Sequence, residues 1–316
     1  MKEWIANINQ KIDELSKTTW MKYFRITSSV VWNLVLIFIL FVSMGFVFVG
    51  SIGAGYFASL VKDEPLRPKT EMRNTIFNYE ETSTLYFASN KYLGKMRTDL
   101  ERQETTLKKV SPNVINAVLA TEDEYFYQHN GIVPKAVVRG ILQDVSNSNT
   151  QTGGSTLTQQ LIKNQVLTNE VSYERKAKEL LLAMRLEHFM TKDEILEAYL
   201  NVIPYGRNAS GRNIAGVETA AEGLFNKSAK DLNLAQSAYI AGIPQSPYAY
   251  TPFTQSGKLK DADNLKLGIN RMKTVLYRMH ETGYITEKQY KKALKYNIKK
   301  DFRKPEVRPE EKYPYV

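Results

Sequence analysis

The chain has 316 residues, 43% of them hydrophobic, a formal net charge of +10 and no cysteine. That length allows one sizeable core with appendages, and the missing cysteines exclude disulfides, thiolate metal sites and a cysteine nucleophile. The charge is uneven: residues 258–316 carry 16 Lys and Arg against 8 Asp and Glu. Such a segment suits an anionic lipid or polymer surface, with solvated helix faces as the plainer explanation. No nucleic-acid-binding motif accompanies it, so nucleic acid is not expected as a partner.

In chain order, Trp4, Ile5, Ile8, Ile12 and Leu15 suit one face of a short helix on the inner membrane surface, a disordered tail being the equal alternative. From Ile26 to Val61 there is no charged residue, and within it Val30 to Gly50 is long and apolar enough to cross a bilayer. Trp20, Tyr23, Phe24 and Trp32 cluster at its N-terminal edge, where amphipathic rings favour the interface. Lys17, Lys22 and Arg25 precede the span and Lys62 is the first cation beyond it, a bias that puts the N-terminus in the cytoplasm. Counting on to Arg67 and Lys69 levels that bias. A connector follows, with a short strand at Thr84–Ala88 and a turn at Gly94.

From residue 111 the pattern is helical. Ser111-Pro112 reads as an N-cap with proline at the first helical position. Val114, Ile115, Val118 and Leu119 recur at helical spacing, and Glu122 falls on their core-facing stripe. A carboxylate forced toward an apolar interior has a raised pKa, which suits a general base or acid; a helix-end glutamate turned back to solvent is the alternative. The polar run Gln143–Thr152 is expected to be mobile without substrate and to close over the acceptor. Thr191-Lys-Asp-Glu194 is a capping box opening a helix through Asn201. Ser228-Ala-Lys-Asp231 opens another that ends near Gly242-Ile-Pro244, and Thr286-Glu-Lys-Gln289 starts a third. After Lys304 the prolines among charges read as a linker or extended strand.

Five blocks stand in order along the chain. They are Glu122-Asp-x-x-Phe126-x-x-His129-x-Gly131, Gly153-Gly-Ser-Thr-Leu-Thr-Gln-Gln160 with Lys163-Asn164, and Arg175-Lys-Ala-Lys-Glu179. Glu194-Ile-Leu-Glu-Ala-Tyr-Leu-Asn201 and Ala235–Pro247 complete the series. Together they closely resemble the peptidoglycan glycosyltransferase domain (glycosyltransferase family 51) of class A bifunctional penicillin-binding proteins and their monofunctional relatives. The resemblance covers residues 110–255 densely and implies a mainly α fold: a lysozyme-like helical domain over 110–300 with one N-terminal transmembrane helix. The segments around it are a cytoplasmic piece over 1–27, a signal-anchor helix over 28–58, a connector over 59–109 and the start of a linker over 301–316. Class A proteins continue into a transpeptidase domain with S-x-x-K, S-x-N and K-T-G. No K-T-G occurs, and the lone Ser59-Leu-Val-Lys62 sits at the membrane exit without partner motifs. The expectation is a chain cut before that domain, with a monofunctional enzyme as the alternative.

The resemblance implies lipid II and the growing glycan strand as partners, with the lipid bilayer, and other cell-wall synthesis and division proteins left open. One sugar's 4-hydroxyl attacks the anomeric carbon of a lipid-diphosphate sugar, inverting α to β-1,4 and releasing undecaprenyl diphosphate. Glu122 matches the base and Glu179 the second glutamate, which orients cations, assists proton transfer or holds a divalent cation (Mg or Mn); no organic cofactor is implied. Lys163, Arg175 and Lys176 match the cations facing the diphosphate. Asp123, Phe126, Ser155, Thr156, Gln159, Gln160 and Asn164 join the substrate-binding set, Asp123 also as an anchor of backbone or cations. His129, Gly131 and Asn201 are structural at the site. Moenomycin inhibition is implied as well.

Plainer explanations stand beside these. Gly153-Gly154-Ser155 is ordinary helix-cap chemistry, and Arg175 with Glu179 at i,i+4 would also suit a solvated salt-bridged face. A lysozyme-like hydrolase or lytic transglycosylase is the alternative activity, opposed by the cation cluster; an inactive scaffold is opposed by the intact motifs.

Overall fold

A computed structural model of the chain describes residues 2–16, 18–96, 98–145, 154–167, 170 and 172–304. These fall into two units, residues 1–63 and 64–316. In the first, α1 (Lys2–Ser16) exposes Trp4, Ile5, Ile8 and Ile12. Helix α2 (Thr19–Val61) runs for 43 residues with no buried side chain, and its most apolar window has a mean hydropathy of 2.7. At about 1.5 Å per residue it exceeds the ~30 Å hydrocarbon thickness of a bilayer. Its exposed Val, Leu, Ile and Phe side chains are what lipid, not water, would solvate.

The second unit opens with α3 (Lys69–Phe77) and a hairpin, β1 (Thr84–Tyr86) against β2 (Tyr92–Lys95). The turn falls on Asn90, whose φ of +61° a short polar side chain tolerates. Gly94 lies within β2 and does not make the expected turn. Strands β3 (Leu100–Arg102), β4 (Pro204–Arg207) and β5 (Asn213–Ala215) form a small sheet in the order β3–β5–β4, parallel and then antiparallel.

The rest is helical: α4 (Pro112–Glu122), α5 (Pro134–Val145), α6 (Leu157–Gln165), α7 (Tyr173–Phe189) and α8 (Lys192–Val202). They are followed by α9 (Val217–Phe225), α10 (Leu234–Gly242), the single turn α11 (Pro247–Tyr250), α12 (Ala262–Glu281) and α13 (Glu287–Leu294). The capping boxes at Thr191 and Thr286 form as the sequence predicts. Two other helix starts differ. Ser111 makes no cap; its hydroxyl donates to Leu232 O at 3.3 Å, and Pro112 alone starts α4. Ser228 opens only a short 3-10 turn, because Asn233 and Gln236 form a second capping box that takes over the start of α10. Residues 143–145 close α5; the remainder of the expected mobile segment, Gly153 and the tail from 305 lie outside the described residues.

Helix α4 packs on α10 and α12, while α6 packs on α7 and α8. One continuous core runs through both groups, with Val114, Val118, Leu161, Leu182, Leu196 and Val275 almost fully buried. The connector is clipped to it by Asn201, which has no exposed surface: its Oδ1 accepts from Thr105 N at 2.9 Å and its Nδ2 donates to Thr105 O at 2.8 Å. Asn201→Ala would leave both buried backbone groups without partners. A stability loss of roughly 2 kcal/mol or more is expected, read as a lowered unfolding midpoint in detergent with unchanged far-UV dichroism.

Candidate active site

Asp123 caps the end of α4 and is nearly buried. Its Oδ2 accepts from Leu157 N at 3.0 Å and faces His129 Nε2 at 2.9 Å. His129 Nδ1 accepts from Gly131 N at 3.1 Å, so a neutral imidazole carries its proton on Nε2 and donates it to Asp123. Gly131 has φ +88°, and a Cβ there would sit 2.6 Å from Ala183 O; only glycine lets this loop cross α7 so closely. Gly131 O in turn accepts from Thr156 Oγ1 at 2.6 Å, and Thr156 forms a capping box with Gln159. The loop after α4 is thereby tied to the start of α6.

That connection sets where the two glutamates lie relative to α6. Gln160 donates through Nε2 to Glu122 Oε2 at 3.1 Å, and its Oε1 accepts from Tyr199 Oη at 3.3 Å. The neighbouring Gln159 donates to Glu179 Oε1 at 3.3 Å. One turn of helix therefore touches both carboxylates.

Their surroundings differ. The Glu122 side chain is 14% exposed and, among the described residues, meets one cation, Arg271, whose Nη2 lies 3.4 Å from Oε1. Burial pushes its pKa above the ordinary carboxylate value, Gln160 and Arg271 pull it back, and Asp123 adds to the rise. The side chain also sits at the C-terminal end of α4, where the helix dipole disfavours negative charge. Tyr199 and Tyr205 are buried nearby, and both hydroxyls are held in the neutral form by burial and by the charge of Glu122.

Glu179 is only 2% exposed and is surrounded by donors. Lys176, one turn back on α7, donates to Oε1, and Arg175 Nη1 lies 3.8 Å from Oε2. Lys176 Nζ also donates to Ser155 Oγ at 2.9 Å, drawing the residue before Thr156 toward the cations. Arg175 Nε and Nη1 are buried without a hydrogen-bond partner, two donors suited to an anionic oxygen. Lys163 and Asn164 lie exposed near the end of α6, and Asn164 Nδ2 donates to Gln160 O at 2.8 Å.

Several residues expected to contact substrate occupy framing positions instead. Phe126 has no exposed surface and packs edge-on against Tyr127 and His129, with Lys192 Nζ 4.5 Å from its ring centroid. Thr156, Gln159 and Asp123 are buried with their polar atoms engaged in the contacts above. Ser155, Gln160, Lys163, Asn164, Arg175 and Lys176 keep some exposure. Asn201 lies against the connector and not against either carboxylate's partners. A divalent cation at Glu179 does not fit: cations and an amide already face its oxygens, and among the described residues no three His, Asp or Glu side chains converge as a metal site.

Arg271, which meets Glu122, is a side chain that sequence reading missed. It was counted within a basic surface, yet it is three residues after the buried Gly268 and four before the buried Val275, on the apolar stripe of α12. An arginine on that stripe was the available signal.

A buried helical core with paired carboxylates and an adjoining cation cluster defines a class, and comparison with known sequences assigns it. The Transglycosylase family model matches residues 89–280, and the chain belongs to that family. Penicillin-binding protein 1A of Clostridium botulinum (strain Langeland) is 45% identical over 224 residues, covering 70% of this chain and 26% of the relative. The protein of the same name from Aquifex aeolicus is 39% identical over 214 residues, covering 68% and 27%. The chain thus spans about a quarter of the length of the curated relatives it matches. A crystal structure of penicillin-binding protein 1A from Haemophilus influenzae aligns over 73% of this chain and 22% of its own, with a TM-score of 0.39 and 24% identity, too weak a likeness to carry an argument.

Because Glu122 is held with a raised pKa, the fold binds its proton more tightly than the unfolded chain does. The linked stability is fully present below the unfolded value of about 4.5 and is lost as pH rises through the higher folded value. Glu122→Gln is therefore expected to melt at a higher temperature than the wild type at neutral pH. Thermal scans across pH should show that advantage shrinking toward zero in acid.

Proposed function

We propose that the chain is a membrane-anchored peptidoglycan glycosyltransferase that polymerises lipid II into β-1,4 glycan strands with inversion. Its N-terminus would lie in the cytoplasm and the catalytic unit outside. The observation that carries this reading is the unequal setting of two carboxylates joined by one turn of α6: burial raises the pKa of Glu122 beside Arg271, while Glu179 meets both Lys176 and Arg175 of α7.

An inverting transfer needs a base on the acceptor side and charge stabilisation on the leaving-group side. Glu122, raised in pKa yet open at one edge, takes the proton of the acceptor 4-hydroxyl as that oxygen attacks the anomeric carbon. The departing diphosphate needs positive charge more than a proton. Lys176 and the buried Arg175 nitrogens that make no hydrogen bond supply preorganised donors, and Lys163 is exposed on α6. Glu179 aims those cations. The same cluster speaks against glycan hydrolysis, since a neutral glycosidic bond has no diphosphate to stabilise. Lipid II and the glycan strand are the partners this reading requires, and α2 keeps the enzyme at the bilayer where a lipid-linked donor resides.

Labelled lipid II incubated with the chain in detergent, its products resolved by length, is the direct test. The wild type is expected to make long glycan, and folded Glu122→Gln to lose at least about 100-fold in rate. Shortening of preformed glycan with lipid II left intact would replace this reading with the hydrolase.

A further inference from the structure

Arg271 reaches Glu122 from across a helix crossing. It rises from α12, passes the end of α10 and meets Glu122 at the end of α4. On the way its Nε donates to Gly242 O at 3.3 Å. Gly242 has φ −80° and ψ −23°, ordinary helical values that any residue adopts, so backbone conformation does not require a glycine. Space does: a Cβ at 242 would lie 2.8 Å from Arg271 Cγ and 3.3 Å from Val275 Cγ2. The contact falls at the root of the arginine stem, which a rotation of the far end cannot relieve.

We infer that Arg271 is a positioning residue that orients Glu122 and holds it ionised for proton abstraction, and that Gly242 is the gap through which it is threaded. The inference rests on the reading of Glu122 as the base. It adds a control element in which Arg271 of α12 lies outside the five blocks and Gly242 of α10 lies within the fifth.

The charged and titratable neighbours of Glu122 leave this role to Arg271. Asp123 follows it in the chain and carries a like charge. Helix α6 offers the neutral Gln160, α8 and β4 offer the neutral hydroxyls of Tyr199 and Tyr205, and Tyr239 of α10 spends its hydroxyl on Tyr250 O at 2.8 Å. Arg278, two turns farther along α12, pairs with Glu124 and Glu281. Arg271 is thus the cation that offsets burial at Glu122, and its removal disfavours the ionised base.

The test is the pH dependence of kcat/KM for lipid II polymerisation by the full chain, with Arg271→Gln, Arg271→Lys and Gly242→Ala set beside the wild type and Glu122→Gln. Arg271→Gln is expected to move the acid limb upward by about one pH unit or more, and Arg271→Lys to restore most of the wild-type profile. Gly242→Ala should shift the limb the same way, the roughly 1 kcal/mol by which alanine favours a helix offsetting part of the cost of displacing the Arg271 stem. That variant keeps the test informative even if Arg271→Gln misfolds. Slower variants whose acid limb stays at the wild-type pH would overturn the inference and leave the base assignment standing. Wild-type activity in Glu122→Gln would instead remove the base reading, and this inference with it.

Discussion

The Asp123 carboxylate is the junction on which the site depends. It accepts the first N–H of α6, at Leu157, and the imidazole proton of His129. An N-terminal helix N–H has no partner within its own helix, so a carboxylate there satisfies an otherwise stranded donor and meets the positive end of the dipole. This one group joins α4, packed against α10 and α12, to α6, packed against α7 and α8. The bonds that follow run through His129, Gly131, Thr156 and Gln159 to Glu179. Each is buried or nearly so, where an unmade hydrogen bond costs about 1–3 kcal/mol, and the geometry is correspondingly stiff.

Stiffness at that junction lets two like-charged groups be handled differently within one site. With α6 fixed at its N-terminus, Gln159 and Gln160 fall in register with Glu179 and Glu122 respectively. Each glutamine is itself held from behind, Gln159 by the Thr156 cap and Gln160 by Tyr199. A glutamine that is free to turn would present an oxygen to a carboxylate as easily as a nitrogen. Holding the amide oxygen elsewhere commits the nitrogen to the glutamate, so hydrogen-bond polarity here is set one residue away from the chemistry.

What the sequence revealed and what it hid divide along a physical line. Helices announced by local rules were legible: α8 and α13 by their capping boxes, α4 by Pro112, and α2 by a charge-free stretch no soluble surface helix carries. Glu122 was legible because its place on an apolar stripe is a property of spacing alone. Where two local signals competed, sequence reading failed: Ser228 lost to the Asn233 box, and Gly94 lost to Asn90 as the hairpin turn. Burial of a motif residue was not legible either. Phe126, Thr156 and Gln159 sit among residues that belong to the site, and only the path of the loop shows that they support it from inside. Arg271 was hidden for a third reason, since its partner is 149 residues away and the glycine that admits it lies on a third helix.

Glu179 shows how a buried acid can set the direction of neighbouring cations. Arg175 and Lys176 are consecutive cations near the start of α7, a position the helix dipole makes unfavourable for positive charge. Left alone, they would repel each other and extend into water, where their attraction for an anion is screened. Glu179, at i+4 from one and i+3 from the other, holds both in place, and Ser155 accepts from Lys176. Glu179 does not neutralise them fully, because two cations meet one carboxylate and Arg175 Nε and Nη1 make no hydrogen bond. The residual positive charge is fixed in direction before any anion arrives, so no reorganisation of these groups is needed to meet one. On the proposed reading, a desolvated base and a partly neutralised cation pair together separate a proton from an anion across a transferred sugar. That separation requires the junction at Asp123 to hold both halves in register.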